Sequence, residues 1–186
     1  MGPIKIYDLE GNIIKKLDNY RINTYFIDIY YDNKNSKIFI LTCNDNSVQA
    51  FDYEQNSIYK IYKEEDDIFG SNHNCLIIND KEELIESSVD GIIRIWNFHS
   101  AILLNKIIMN QNWRTDGFCL WNNSYIFVSC DKIIKIIELK SGKTVEELKN
   151  HNKYISYIKI IIHPIYGECL ISQGMDADGI KLWVFK

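Results

Sequence analysis

The chain has 186 residues, 46% of them hydrophobic and 25% charged, enough for one domain with a sizeable core. Its 21 Lys and Arg against 25 Asp and Glu leave a net charge of −4, without the broad positive field that sequence-independent nucleic-acid binding needs. The five cysteines form no CxxC pair and each lies in an apolar run, which reads as reduced thiols acting as small hydrophobes, not as a disulfide framework.

The opening stretch, MGPIKIYD, has no basic-then-apolar leader pattern. Runs such as Ile160-Ile161-Ile162 fall far short of the roughly 20 residues that span a bilayer. A soluble protein of a reducing, intracellular compartment (cytoplasmic or nuclear) with no membrane partner is expected. The first element is the strand Ile4-Lys5-Ile6-Tyr7, followed by the turn LEGN and a second strand, IIKKL.

From residue 21 onward the elements recur in a fixed order of four short strands. Over 21–63 they read YFIDIYY, KIFILTC, DNSVQAF and SIYKIY; over 64–109, NCLIIN, ELIESS, DGIIRIW and ILLNKIIM. Over 110–149 they are GFCLW, YIFVSC, DKIIKII and TVEEL, and over 150–185 YISYIKIII, ECLISQ and GIKLW. The initial pair, within 4–20, is the third and fourth strand of such a unit. In three copies an Asp (Asp45, Asp90, Asp131) stands six residues before the large apolar residue that closes the third strand. The closing positions 7, 51, 96, 137 and 183 are separated by 44, 45, 41 and 46 residues, the period of a repeat architecture.

Two segments, KEELIE (81–86) and GKTVEELK (142–149), favour helix locally, but their place in the repeat assigns them to strands. With two prolines and nine glycines, Asn and Asp must supply most turns, which their tolerance of left-handed backbone allows. Runs such as IIKII and ISYIKIII are apolar on both faces, as expected of small sheets sandwiched between neighbours.

The turn Asp, the strand after it and the period together resemble the WD-repeat β-propeller family, essentially from Ile4 to Trp183. Trp96 and Trp183 match the family's Trp, although Asn97 and Val184 follow them in place of Asp. Asn150-His151 matches the family's Gly-His. The resemblance implies an all-β fold of about four four-stranded blades, expected to be part of a larger ring, seven blades being usual, completed by missing blades or by another chain; the alternative is a four-blade unit closed by its N-terminal strand. It also implies structural roles for Asp45, Asp90, Asp131, Trp96, Trp183, His151 and Ser172, with Ser87 or Ser88 as the hydroxyl partner of Trp96.

There is no G-x-S-x-G elbow, P-loop, G-x-G-x-x-G or H-E-x-x-H. His73, His99, His151 and His163 are well separated and lack metal-ligand spacing. No catalytic residue, metal or cofactor is therefore expected. His151, Ser172 and Asp176 have the composition of a triad but read as a hydrogen-bond network within one repeat. In the resembling family, the loops before the first strands line one rim; here they hold Tyr20, Arg21, Phe69, Trp113, Arg114, Lys153 and Tyr154. Aromatic and Arg side chains at such places are typical interface anchors. Trp113 beside Arg114 is the strongest pair, its alternative being an indole folded inward. Glu65 and Asp66, within the cluster Glu64–Asp67, read either as a solvated loop or as a site for a basic peptide. The expectation is a non-catalytic protein-interaction scaffold. The alternatives are a ribonucleoprotein component stacking RNA on Arg21, Arg114 and Lys153, and a hydrolase on a propeller scaffold.

Overall fold

The computed structural model describes residues 4–17, 26–43, 47–64, 73–88, 90–109, 117–175 and 179–185. These residues form seventeen strands and no helix. The chain divides into two compact units, Met1–His73 and Asn74–Lys186.

The first unit holds a two-stranded pair, β1 (Ile4–Tyr7) and β2 (Ile13–Leu17), and a four-stranded sheet. That sheet runs in chain order through β3 (Phe26–Asp32), β4 (Lys37–Cys43), β5 (Val48–Asp52) and β6 (Ser57–Tyr62). Leu17 of β2 packs with Ile40 and Phe51, and Ile4, Ile6 and Tyr53 close over them. Lys15 donates to the Tyr53 carbonyl, and its ammonium lies 4.1 Å from the centre of the Tyr53 ring.

The second unit contains three sheets, each antiparallel and in chain order. The first comprises β7 (His73–Ile78), β8 (Glu83–Ser88), β9 (Ile92–Asn97) and β10 (Leu103–Ile108). The next comprises β11 (Phe118–Trp121), β12 (Tyr125–Cys130), β13 (Ile133–Glu138) and β14 (Thr144–Lys149). The last has three strands, β15 (Ile155–His163), β16 (Gly167–Gly174) and β17 (Ile180–Val184). KEELIE and GKTVEELK thus contribute to β8 and β14. In β8 the adjacent Leu84 and Ile85 are both buried, one on each face of the extended backbone.

The middle sheet is covered on both faces. Ile126, Val128 and Ile137 pack on Ile85, Ile93 and Ile95 of the preceding sheet. Phe127, Ile134 and Ile136 pack on Ile155, Ile158 and Leu170 of the following one. The last sheet departs from the expected sandwich: Tyr157, Ile180, Leu182 and Val184 are 50%, 65%, 42% and 40% exposed. In β17, Ile180, Leu182 and Val184 alternate with Trp183, which joins the cluster around Leu170 on the other face, so the exposed set lies on one face of the sheet.

One irregularity recurs in every pairing of a third with a fourth strand. The register shifts just before the closing residue, between Ile6 and Tyr7, Ala50 and Phe51, and Ile136 and Ile137, and equivalently opposite Trp96. Such a bulge adds one residue to the outer strand and increases the local twist. Its presence in β1–β2 identifies that pair as a third and fourth strand, as the sequence order suggests.

Candidate functional site

Each third strand pairs with its second strand in one common register. Phe51 faces Ile40, Trp96 faces Leu84, Ile137 faces Ile126 and Trp183 faces Leu170. Two residues further along, the opposed pairs are Thr42–Gln49, Glu86–Arg94, Val128–Lys135 and Ser172–Lys181. The residues at this second-strand position share a face with the closing side chain. They show four different solutions to one local problem.

In the last sheet the closing residue is Trp183 and its partner is Ser172. The Trp183 indole N–H donates to Ser172 Oγ at 2.8 Å, and His151 Nε2 lies 2.8 Å from the same oxygen. His151 and Ser172 are both buried. With the ring proton on Nδ1, the serine hydroxyl donates to Nε2 and all three groups are satisfied. Ser172 is therefore a buried hub between two rings. Asp176, the third member of the triad-like set, lies outside the described residues.

In the sheet β7–β10 a charged cluster replaces this arrangement. The Trp96 indole donates to Glu86 Oε1 at 3.3 Å, an acceptor that the sequence reading, with Ser87 or Ser88, did not anticipate. Glu86 directly faces Arg94, whose Nε lies 3.9 Å from Glu86 Oε1. Arg94 also donates to Ser88 Oγ and to Asp90 Oδ2, both at 2.7 Å. Asp90 accepts from the Ile92 N–H at 3.0 Å and from the Ser88 hydroxyl. Burial alone raises the Asp90 pKa. The hydrogen bonds from Arg94 and Ser88, with the guanidinium charge, outweigh it and hold the carboxyl below its ordinary value. Ser87 Oγ is buried with no hydrogen-bond partner among the described residues.

Sequence reasoning assigned Asp90 and Trp96 structural roles but overlooked Glu86 and Arg94. Their signal is that β8 and β9, antiparallel with Trp96 opposite Leu84, bring 86 and 94 face to face. Asp131 sits at an exposed turn with φ of 54°, a left-handed position that Asp tolerates. Asp45 is outside the described residues.

Of the loops before first strands, only 150–154 is described; Tyr20, Arg21, Glu65, Asp66, Phe69, Trp113 and Arg114 lie outside. This loop is pinned at both ends. His151 is buried on Ser172, the Ile155 N–H donates to the Asp131 carbonyl at 2.8 Å, and the Met175 N–H donates to the Tyr154 carbonyl at 2.8 Å. Between the pins Lys153 is exposed, while Tyr154 is half-buried with its hydroxyl turned inward.

Cavities open among the described residues of the second unit. One of about 380 Å³ lies among Lys81, Glu83, Leu104, Asn105, Glu138 and Lys140. Another, about 490 Å³, runs beside β17 and is lined by Trp121, Ile136, Glu146, Leu148, Trp183 and Phe185. The Phe185 ring stacks on Trp121 at 4.8 Å and on Phe127 at 5.4 Å between centroids. Among the described residues no three His, Cys, Asp or Glu side chains gather as a metal site, and no helix is long and apolar enough to cross a membrane.

No model of a known protein family matches the chain. Among solved structures it is similar to the computationally designed Ika8 protein, with 13% identity and a TM-score of 0.72. The match covers 99% of this chain and 53% of that one, so the chain spans about half the length of the protein it matches. The likeness is one of fold: successive up-and-down antiparallel sheets in the repeat architecture of a β-propeller.

Proposed function

We propose that the chain is a non-catalytic protein-interaction scaffold of the WD-repeat type, part of a larger propeller ring, whose loops before the first strands bind other proteins. The observation that carries this reading is the loop 150–154. Buried contacts hold it at both ends, and it offers the Lys153 ammonium to solvent on a fixed backbone. A pre-ordered loop on a sheet frame loses little entropy on binding. The WD-repeat assignment draws support from the union of His151, Ser172 and Trp183 on one oxygen. The larger ring draws support from a match that uses about half of a longer chain. By repeat position, Tyr20, Arg21, Phe69, Trp113 and Arg114 belong to the same rim as Lys153 and Tyr154. Glu65 and Asp66 lie on it as a site for a basic segment.

The compartment we assign is intracellular. Burial pushes the Cys119 and Cys130 thiols up to about 12, as fits cysteines that act as small hydrophobes.

The test is affinity capture from lysate with the native chain and Trp113→Ala/Arg114→Glu side by side, read by quantitative mass spectrometry, with thermal melts to verify folding. Proteins lost only from the variant support the rim. An unchanged set of proteins, with both chains folded, rules the rim out.

A further inference from the structure

The cavity of about 380 Å³ is lined by two neighbouring sheets of the second unit. The sheet β7–β10 supplies Lys81, Glu83 and Asn105, and the sheet β11–β14 supplies Asn123, Glu138 and Lys140. Each sheet thus contributes one ammonium, one carboxylate and one side-chain amide. In both, the two charges stand two residues apart beside a turn, Lys81 with Glu83 and Glu138 with Lys140. Ile95 and Leu139, both buried, add an apolar part to the lining.

The backbone under these groups is fixed. In the turn before β8, the buried Asn79 accepts through Oδ1 from the Lys81 and Glu83 N–H groups, both at 3.0 Å. Its Nδ2 donates to Glu83 Oε2 at 2.7 Å, which orients that carboxylate and leaves Oε1 as an acceptor. In the other sheet the Leu139 N–H donates to the Ser124 carbonyl at 2.9 Å, tying the turn that carries Asn123 to the strand end that carries Glu138 and Lys140. Asn105 Oδ1 accepts from the Lys106 N–H at 2.8 Å, so its Nδ2 serves as a donor. Among the described residues no ion pair joins Lys81, Glu83, Glu138 or Lys140 to an opposite charge.

This lining selects by charge. A metal ion or other lone cation would meet two ammoniums, and a lone anion would meet two carboxylates. An apolar ligand would leave all four charges without partners. A zwitterion offers each sheet's pair an opposite charge, and an amide between its charges meets the Asn105 and Asn123 amides. The volume lies near the lower end of ligand sites, about 300–1,000 Å³, which limits the ligand to a few residues. We propose that this cavity binds a short zwitterionic peptide, its charges supplied by the termini of a free peptide or by acidic and basic side chains within a longer chain. Turns between first and second strands, and between third and fourth, emerge at the end of each sheet opposite the loops that precede first strands. The site is therefore separate from the proposed rim and does not depend on the scaffold reading.

The test is a titration of the whole chain followed by amide proton–nitrogen NMR with three probes. Triglycine carries its charges at the termini, N-acetyl-Lys-Gly-Glu amide carries them in side chains, and N-acetyl-triglycine amide carries none. Saturable shifts at 81–83, 105, 123–124 and 138–140 with a charged probe, and none with the uncharged one, are expected. A response to triglycine alone makes the ligand a free peptide; a response to the blocked peptide alone makes it a segment of a longer chain. Lys140→Glu and Lys81→Glu, at exposed positions, should each weaken the binding about tenfold with the thermal melt unchanged. Equal shifts from the uncharged probe, no saturable shift with either charged probe, or native affinity in both variants overturns the proposal.

Discussion

One position in each second strand shows how single residues set the local chemistry. Where the closing residue is Trp183, the partner Ser172 accepts its N–H and meets His151. Where it is Trp96, Glu86 accepts, and Arg94 neutralises the carboxylate. Where it is Ile137, the partner is Val128 and the site is apolar. Where it is Phe51, the ring cannot donate, and Thr42 Oγ1 is buried with no partner among the described residues. An unmade buried hydrogen bond costs about 1–3 kcal/mol, whereas removing both partners is nearly neutral. Ser172→Ala, which strands the Trp183 N–H and one His151 nitrogen, should therefore lose about 2–3 kcal/mol in urea unfolding. Thr42→Val should be neutral or gain up to about 1 kcal/mol; equal losses at the two positions would contradict the equivalence. The Asp90 carboxyl adds a pH dependence. Its folded pKa lies below its unfolded one, so its contribution is present above about pH 4 and is lost as pH falls through the folded value. Urea midpoints taken down to acid should fall for the native chain and fall less steeply for Asp90→Asn.

At the scale of strands and turns, the turn between third and fourth strand needs one residue in left-handed backbone. Gly11, Asn56 and Gly142 hold that conformation in three turns, and Ala101 holds it in the fourth with φ of 59°. A Cβ is unfavourable there, so Ala101→Gly should raise stability by about 0.5–1 kcal/mol. Gly142→Ala should lower it by about 1–2 kcal/mol, because the added Cβ would also sit 3.2 Å from Ile107 Cγ1. Thermal melts of the two variants should move in opposite directions. Strand order was legible because the period and the apolar runs act over the whole chain. KEELIE shows why period outweighs propensity: Leu84 and Ile85 are fully buried on opposite faces of β8, which only extended backbone allows. The Glu86–Arg94 pair was less legible, because its meaning depends on a register that the residues themselves do not spell out.

For the whole molecule, repetition explains both what sequence conveys and what it hides. The closing residues and their spacing fix which strands pair, so three whole sheets, a terminal three-stranded sheet and the initial pair follow from counting. The exposure of Ile180, Leu182 and Val184 in the last sheet does not follow, since they read like any buried run. The proposed rim is legible only as composition, because Trp, Arg and Lys in loops acquire direction from the frame that holds them; Lys153 illustrates this, exposed between two pinned ends. The most direct measurement is hydrogen exchange by mass spectrometry on the chain alone and with a captured partner. Scaffold binding at the rim predicts new protection at 20–21, 69, 113–114 and 153–154, with strand amides unchanged. Protection confined to the outer strands β6, β10 and β14, or to the exposed face of β15–β17, would contradict it.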